Sequence, residues 1–402
     1  MRHLDAHAAR PDSRHREDMS GTGHQQRRAG DLHVVIAGSG FAAVEAMLAL
    51  SAQGGDRVTL TLVSPEARFV CRPVAPQEVF GETRPQRHDL QTIMSDLGVR
   101  YRRGRLEAVA PEQRWIRMTS GARVPYDALI LAIGARARVA IPGALTFRDQ
   151  RDAPLLRRVL EDLDQDRIRS LVFALPAGGS WPLLAYESAL LAGVRAQERR
   201  LDADVALVTP EKRPLEVFGA EVSGVVGDLL AQRSVRFIGG SAPRVVTRQG
   251  LTLESGTTIA ADRAVAAPQL RGQRITGIPR DHLGMISTDR SCLVHGLRDV
   301  YAVGDITSFT IKHGGLATQQ ADRAVAAILR ANGLPAAEPA PFDLRMQLSD
   351  AMRPLSLRAE LDERGRVISA SVQDGRPLPH GKVHGRYLSP YLEALAPETT
   401  AA

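Results

Sequence analysis

The sequence predicts an α/β fold of two similar three-layer halves, each built on a parallel sheet, followed by a small C-terminal α+β region. Three observations carry this. An apolar run at 33–37, the turn Gly38-Ser39-Gly40-Phe41-Ala42-Ala43, a helical stretch at 44–52 and a second apolar run at 58–63 give the strand–turn–helix–strand order of a parallel βαβ unit. The same order returns with a strand at 170–175, a turn at 176–179, a helix carrying Tyr186, Glu187 and Ser188, and a strand at 205–208. The two copies also agree in their loops, where periodicity demands nothing. LVSPEAR at 62–68 answers LVTPEKR at 207–213, each is followed by EVFG (78–81 and 216–219), and YDALILAIG (126–134) closes the first copy as ADRAVAAPQ (261–269) closes the second.

The remaining elements follow in order. The helix at 44–52 is stopped by Gly54-Gly55. Residues 331–341, rich in Ala and Pro, read as a linker. Beyond it, 355–361 and 366–372 read as two strands around a turn at 362–365. In the last stretch, GKVHGRYLSPYLEAL (381–395), Tyr387, Leu388, Tyr391 and Leu392 recur at helical spacing. It reads as a helix docked on the protein or on a second copy, with peripheral membrane contact as the lesser alternative. The first 32 residues mix Arg, His, Asp and Gln without an apolar stretch, so they read as a disordered tail without a secretory signal, and Met19 is an alternative start.

Composition narrows the function. The chain has 402 residues, enough for two or three domains, with 44% hydrophobic and 24% charged residues as in soluble enzymes. No apolar run approaches the roughly 20 residues that cross a bilayer, which excludes a transmembrane segment and leaves a cytoplasmic or membrane-peripheral protein. The net charge of +7 is dispersed, with no basic block interleaved with aromatics, and this argues against a nucleic-acid partner. Cys71 and Cys292 stand alone, which excludes a disulfide-stapled fold, an adjacent redox dithiol and a zinc or iron–sulfur site. Cys71 therefore reads as a small buried hydrophobe. Only Lys212, Lys312 and Lys382 are lysines among 52 basic side chains. A lysine kept under that bias marks a place that needs a compact, titratable ammonium.

The chemistry begins at the first turn. G-x-G-x-x-A after a strand and before a helix is the fingerprint of a Rossmann-type dinucleotide-binding domain. Gly38 permits the tight turn, Gly40 lets main chain approach a pyrophosphate seated on the positive end of the helix, and Ser39, Phe41 and Ala42 complete that loop. Ser64 replaces the acidic residue expected after the second strand, so Glu66 is the candidate for the adenosine ribose, with an exposed loop glutamate as the competing reading.

AGSGFAA (37–43), LILAIG (129–134) and VYAVGD (300–305), in that order over 33–330, resemble the two-dinucleotide-binding-domain flavoproteins. This is the FAD-dependent pyridine nucleotide-disulfide oxidoreductase superfamily, and the chain is nearest its sulfide:quinone reductase and type II NADH dehydrogenase branch. The resemblance implies non-covalent FAD, with Asp305 on the ribityl and pyrophosphate region and Gly134 and Gly304 allowing close backbone approach. It also implies that the helix from about Leu316 to Leu329, opened by Gly314 and Gly315, points its N-terminus at the pyrimidine edge of the isoalloxazine. A helix dipole stabilises negative charge there by about 0.3–2 kcal/mol. Lys312, immediately upstream, is the electrostatic catalytic candidate. FVCRPVAPQEVFG (69–81) resembles the segment crossing near the flavin in that branch, which puts Arg72 beside the cofactor. Glu187 matches a glutamate carried on this helix in both branches and is the candidate proton carrier, a helix-surface glutamate being the alternative.

The second half departs from a nicotinamide pattern. PAGGSWPLLAYE (176–187) puts Trp181-Pro182 where a pyrophosphate needs open backbone, which disfavours NAD(P)H. Trp181 reads as packing between domains or as a wall on the substrate side of the flavin. The expected organisation is an FAD-binding domain in two pieces, 33–141 and 268–330, around a second Rossmann-like domain at 142–267, with the linker and a C-terminal region at 342–402. The expected activity is electron transfer from a small-molecule donor through FAD to an acceptor such as quinone. An NAD(P)H dehydrogenase with an altered nicotinamide loop and a non-enzymatic flavin-binding redox sensor stand as alternatives, and a homodimer is left open.

Overall fold

The computed structural model describes residues 31–83, 87–350, 354–373 and 382–395. The tail expected at 1–32 lies outside them up to residue 30, as does Gly381 of the last stretch.

In the first half five parallel strands lie in the order Val300–Ala302, Ala128–Leu131, Leu32–Ala37, Val58–Ser64 and Arg100–Arg103. The middle strand is buried on both faces. Val34 and Ile36 pack with the helices Phe41–Gly54 and Gly314–Ala331, while Val35 and Ala37 pack with a three-stranded antiparallel meander, Leu106–Ala110, Trp115–Met118 and Arg123–Pro125. Burial on both faces is why Val34–Ala37 reads as an unbroken apolar run. Each fully buried Val or Ile there contributes about 1.5–3 kcal/mol relative to exposure.

The second half repeats the plan. Its parallel order is Leu145–Thr146, Arg263–Ala266, Ser170–Ala174, Asp204–Val208 and Val235–Ile238. Leu171 and Phe173 face the helix Pro182–Glu198, and Val172 and Ala174 face a second meander, Pro243–Thr247, Gly250–Leu253 and Thr258–Ile259. The two meanders stand at equivalent places, so the repeat reaches beyond the loops that reveal it. The chain enters and leaves this half through Arg136–Arg138 and Gln269–Arg271, which pair antiparallel with Arg136 opposite Arg271.

Two details differ from the sequence-based expectation. The helix expected from Leu316 begins two residues earlier, because the His313 ring caps it: Nδ1 accepts the Gly315 N–H at 3.1 Å. The C-terminal sheet has three strands, Phe342–Leu348, Leu355–Leu361 and Val367–Gln373, where two were expected. The unforeseen first one alternates buried Phe342, Leu344, Met346 and Leu348 with Asp343, Arg345 and Gln347, a period-two signal present in the sequence. The final helix, Leu388–Leu395, is short and docks on the first half. Glu45 in the helix Phe41–Gly54 accepts the backbone N–H groups of Tyr387 at 2.8 Å and Leu388 at 2.7 Å, and the Tyr391 hydroxyl donates to Asp96. Among the described residues no helix is long and apolar enough to cross a membrane.

Candidate functional site

The strand order runs outward in opposite directions from the neighbours Leu32–Ala37 and Ala128–Leu131, and a ligand crevice is expected beyond the C-terminal ends at such a point. A cavity opens there, walled by both halves and by the C-terminal region. Gly40, Phe41, Ala42, Gly134, Gly304 and Asp305 line one side. Arg72, Glu187 and Lys312 line it too, so most of the residues singled out by motif converge on one space.

The glycines differ in what they permit. Gly38 has φ +127°, and a Cβ on it would lie 2.1 Å from the Ala132 carbonyl oxygen, so the crossing of two main chains requires it. Gly40 has φ −88°, open to any residue, and a Cβ on it would meet no atom within 4 Å. Nothing in the protein demands a glycine at 40. Its bare main chain instead keeps space free at the N-terminus of the helix Phe41–Gly54, where a phosphate is stabilised by N–H groups and dipole together. Gly134 (φ +62°) is equally open. Gly304 (φ +76°) packs against Ala317 and Ala42, and its N–H donates to Gln320 at 2.6 Å. The donor set and the open main chain fit a dinucleotide.

Asp305 stands half-buried beside this cradle. Burial pushes its carboxyl above the usual range, opposed by the Lys312 ammonium, the Trp181 N–H and the Arg72 guanidinium. The Trp181 indole, from the second half, donates to its Oδ2 at 3.0 Å. Lys312 is buried and donates to the Thr307 carbonyl; burial pulls its ammonium below the ordinary value, against the charges of Asp305 and Asp281. His313 is held neutral, its pKa lowered to about 4 by burial and the Lys382 charge.

Glu187 lies 2% exposed in the helix Pro182–Glu198 and carries an unforeseen partner, Lys382. The Lys382 ammonium donates to both oxygens of that carboxylate and, at 3.2 Å, to the Pro73 carbonyl, while the Ser349 N–H donates to Glu187 at 3.1 Å. Two of the chain's three lysines therefore stand buried in one cavity wall, a placement that the scarcity of lysine already signals. Leu183, Leu184, Leu215, Phe218 and Met346 make the neighbouring wall apolar.

Other expected residues stand apart from this lining. Ser39 belongs to the turn and Gly315 to the first turn of the helix Gly314–Ala331 that build it, and Leu316 is buried in the core shared with the second half. Glu66 is on an exposed turn, where its N–H donates to the Ser64 hydroxyl at 3.1 Å and its carbonyl accepts from Tyr101 at 2.9 Å. The repeat places Glu211 in the same turn, its N–H on Thr209 at 2.9 Å, but there the carboxylate accepts from Tyr186 at 2.6 Å. Cys71 is buried, its thiol pushed up to about 12 by burial.

The model of the pyridine nucleotide-disulphide oxidoreductase family matches residues 32–327. A NADH dehydrogenase-like protein of Mycobacterium tuberculosis is 26% identical over 297 residues, covering 68% of this chain and 72% of that one. The ferredoxin–NAD(+) reductase subunit of the benzene 1,2-dioxygenase system of Pseudomonas putida is 24% identical, covering 70% and 69%. The sulfide:quinone oxidoreductase of the hyperthermophilic bacterium Aquifex aeolicus shares the fold with a TM-score of 0.76 at 18% identity, covering 85% of this chain and 86% of that one.

Proposed function

Since the chain belongs to the pyridine nucleotide-disulphide oxidoreductase family, we propose that it is an FAD-dependent oxidoreductase passing electrons from a small reduced donor to an apolar acceptor such as a quinone. The observation that carries FAD is Gly40, a helix N-terminus of bare main chain that faces open space in a cavity shared with Gly134, Gly304 and Asp305. The first sheet takes strands from both sides of the inserted second half, which supports an FAD-binding domain in two pieces, 33–141 and 268–330, around a second domain at 142–267. FAD, when bound, supplies the reversible electron chemistry.

The protein's part is placement, charge and protons. The Gly38–Ala42 turn and Asp305 hold the dinucleotide, and Arg72 flanks it. Lys312 sets a positive charge at the start of the helix Gly314–Ala331, where the dipole adds to it. Leu183, Leu184, Leu215, Phe218 and Met346 exclude water and offer an apolar bay for the acceptor, and the Glu187–Lys382 pair is the group there able to hold or give a proton. The names of the Mycobacterium tuberculosis relatives favour a second reading, in which NAD(P)H is the donor.

Reconstitution with FAD and desalting, followed by NADH, NADPH or sulfide without oxygen and then a short-chain quinone, separates these. The proposal expects retained yellow protein whose flavin band, once bleached by a donor, is restored by the quinone. Bleaching by a nicotinamide would establish the second reading, and loss of all flavin on desalting would remove both.

A further inference from the structure

The internal repeat allows the two phosphate turns to be compared position by position. In the first half the residue before the helix is Gly40, and its missing side chain leaves the cavity open. In the second half the residue before the helix is Trp181, and the helix begins on Pro182, which has no N–H to offer. The turn leading to Trp181 is tied down. The Gly179 carbonyl accepts the Leu270 N–H at 2.8 Å, the Ser180 hydroxyl donates to the Pro268 carbonyl at 2.7 Å, and the Gln269 amide donates to the Ala177 carbonyl at 3.3 Å. A pyrophosphate in this half would meet an indole in place of bare main chain.

That indole reaches across the crevice instead. Its Nε1–H donates to Asp305 Oδ2 over a separation of 124 residues, and Trp181 lines the same cavity as Gly40. We propose that Trp181 is a positioning residue of the flavin site: the degenerate phosphate turn of the second half has become a clasp that holds Asp305 with one carboxylate oxygen fixed and the other left to bind the cofactor. The inference rests on the FAD reading above and adds to it a role for the second half without a dinucleotide of its own.

The physical reason is pre-organisation. Among the groups facing Asp305 are the Trp181 N–H, the Lys312 ammonium and the Arg72 guanidinium. Without the indole donor, the half-buried carboxylate turns toward Lys312 or takes up a proton, since desolvation already works against its charged form. Either change lowers the fraction of chains ready to bind, and apparent affinity falls by that fraction.

The test is a double-variant cycle on the full chain, with FAD dissociation constants read by flavin fluorescence. Trp181→Phe, which keeps the ring and removes the N–H, is expected to weaken FAD about tenfold. Asp305→Ala weakens it more, and adding Trp181→Phe to Asp305→Ala should cost almost nothing further, since the indole then has no acceptor to hold. FAD binding by Trp181→Phe should also fail at a lower pH threshold shifted upward from that of the parent. An equal Kd for Trp181→Phe and the parent, or strictly additive effects in the cycle, would overturn the inference while leaving the FAD reading intact. Failure of the parent chain to bind FAD would instead remove that reading. A readout independent of flavin is the indole N–H resonance. The chain has two tryptophans, Trp115 and Trp181, and the Trp181 signal should move in Asp305→Ala without any cofactor; a stationary signal would likewise count against the clasp.

Discussion

Gly40→Val separates a glycine kept for the cofactor from one kept for the fold. The backbone at 40 is extended (φ −88°, ψ −169°) and accepts valine, and a Cβ there meets no protein atom within 4 Å, so folding stability should change by no more than about 1 kcal/mol. The valine methyl groups would fill the space proposed for the pyrophosphate. Losing two charge-assisted main-chain hydrogen bonds at about 1.5–3 kcal/mol each, with a dipole contribution of about 0.3–1, gives about 3–7 kcal/mol. That is roughly 10²- to 10⁵-fold weaker FAD binding. Urea unfolding of the apoprotein and FAD titration are measured side by side. A Gly40→Val protein with native stability that binds FAD as tightly as the parent would refute the reasoning.

Gly38→Ala should behave in the opposite way: with φ +127° and a Cβ 2.1 Å from the Ala132 oxygen, it should lose about 2–5 kcal/mol in urea unfolding even without FAD. Lys312→Met should retain FAD but lower its potential by about 30 mV, or ~1.4 kcal/mol for two electrons; spectroelectrochemistry showing no shift would deny Lys312 its electrostatic part. Lys382→Met strands the buried Glu187 carboxylate and should cost about 3–5 kcal/mol, most of it recovered in the Glu187→Gln/Lys382→Met double variant, and thermal unfolding of both compares them. His313 should make stability pH-dependent. Its pKa falls from 6.5 to about 4 in the fold, so the unfolded chain takes a proton first. Stability is full above the unfolded value and declines as pH drops toward the folded one, by roughly 3 kcal/mol at most. His313→Asn, which can still cap the helix, should flatten that decline; an unchanged slope would place its origin elsewhere.

What was legible in the sequence is what local chemistry dictates. Val34–Ala37 is apolar throughout because both faces are covered, and Gly38 and Gly40 are glycines for separate steric reasons, so the first strand, turn and helix are readable from residue types alone. The convergence of Asp305, Lys312 and Arg72 on one cavity was readable because they neighbour such motifs. The Glu187–Lys382 pair joins residues 195 apart, and no spacing rule links a helix of the second half to a stretch beyond the C-terminal sheet. The scarcity of lysine marked Lys382 as unusual without naming its partner. Phe342–Leu348 was hidden by its Ala- and Pro-rich approach, although its alternation was in view. The role of His313 depends on ring geometry at a helix start, which the sequence HGG does not specify.

The most direct measurement is the dinucleotide stoichiometry of the purified chain, by calorimetric titration with FAD and then, on the FAD-loaded protein, with NADH. The account predicts one FAD per chain and no heat from NADH. A chain that takes up no FAD, or one that binds NADH in its second half with Trp181 in place, would contradict it.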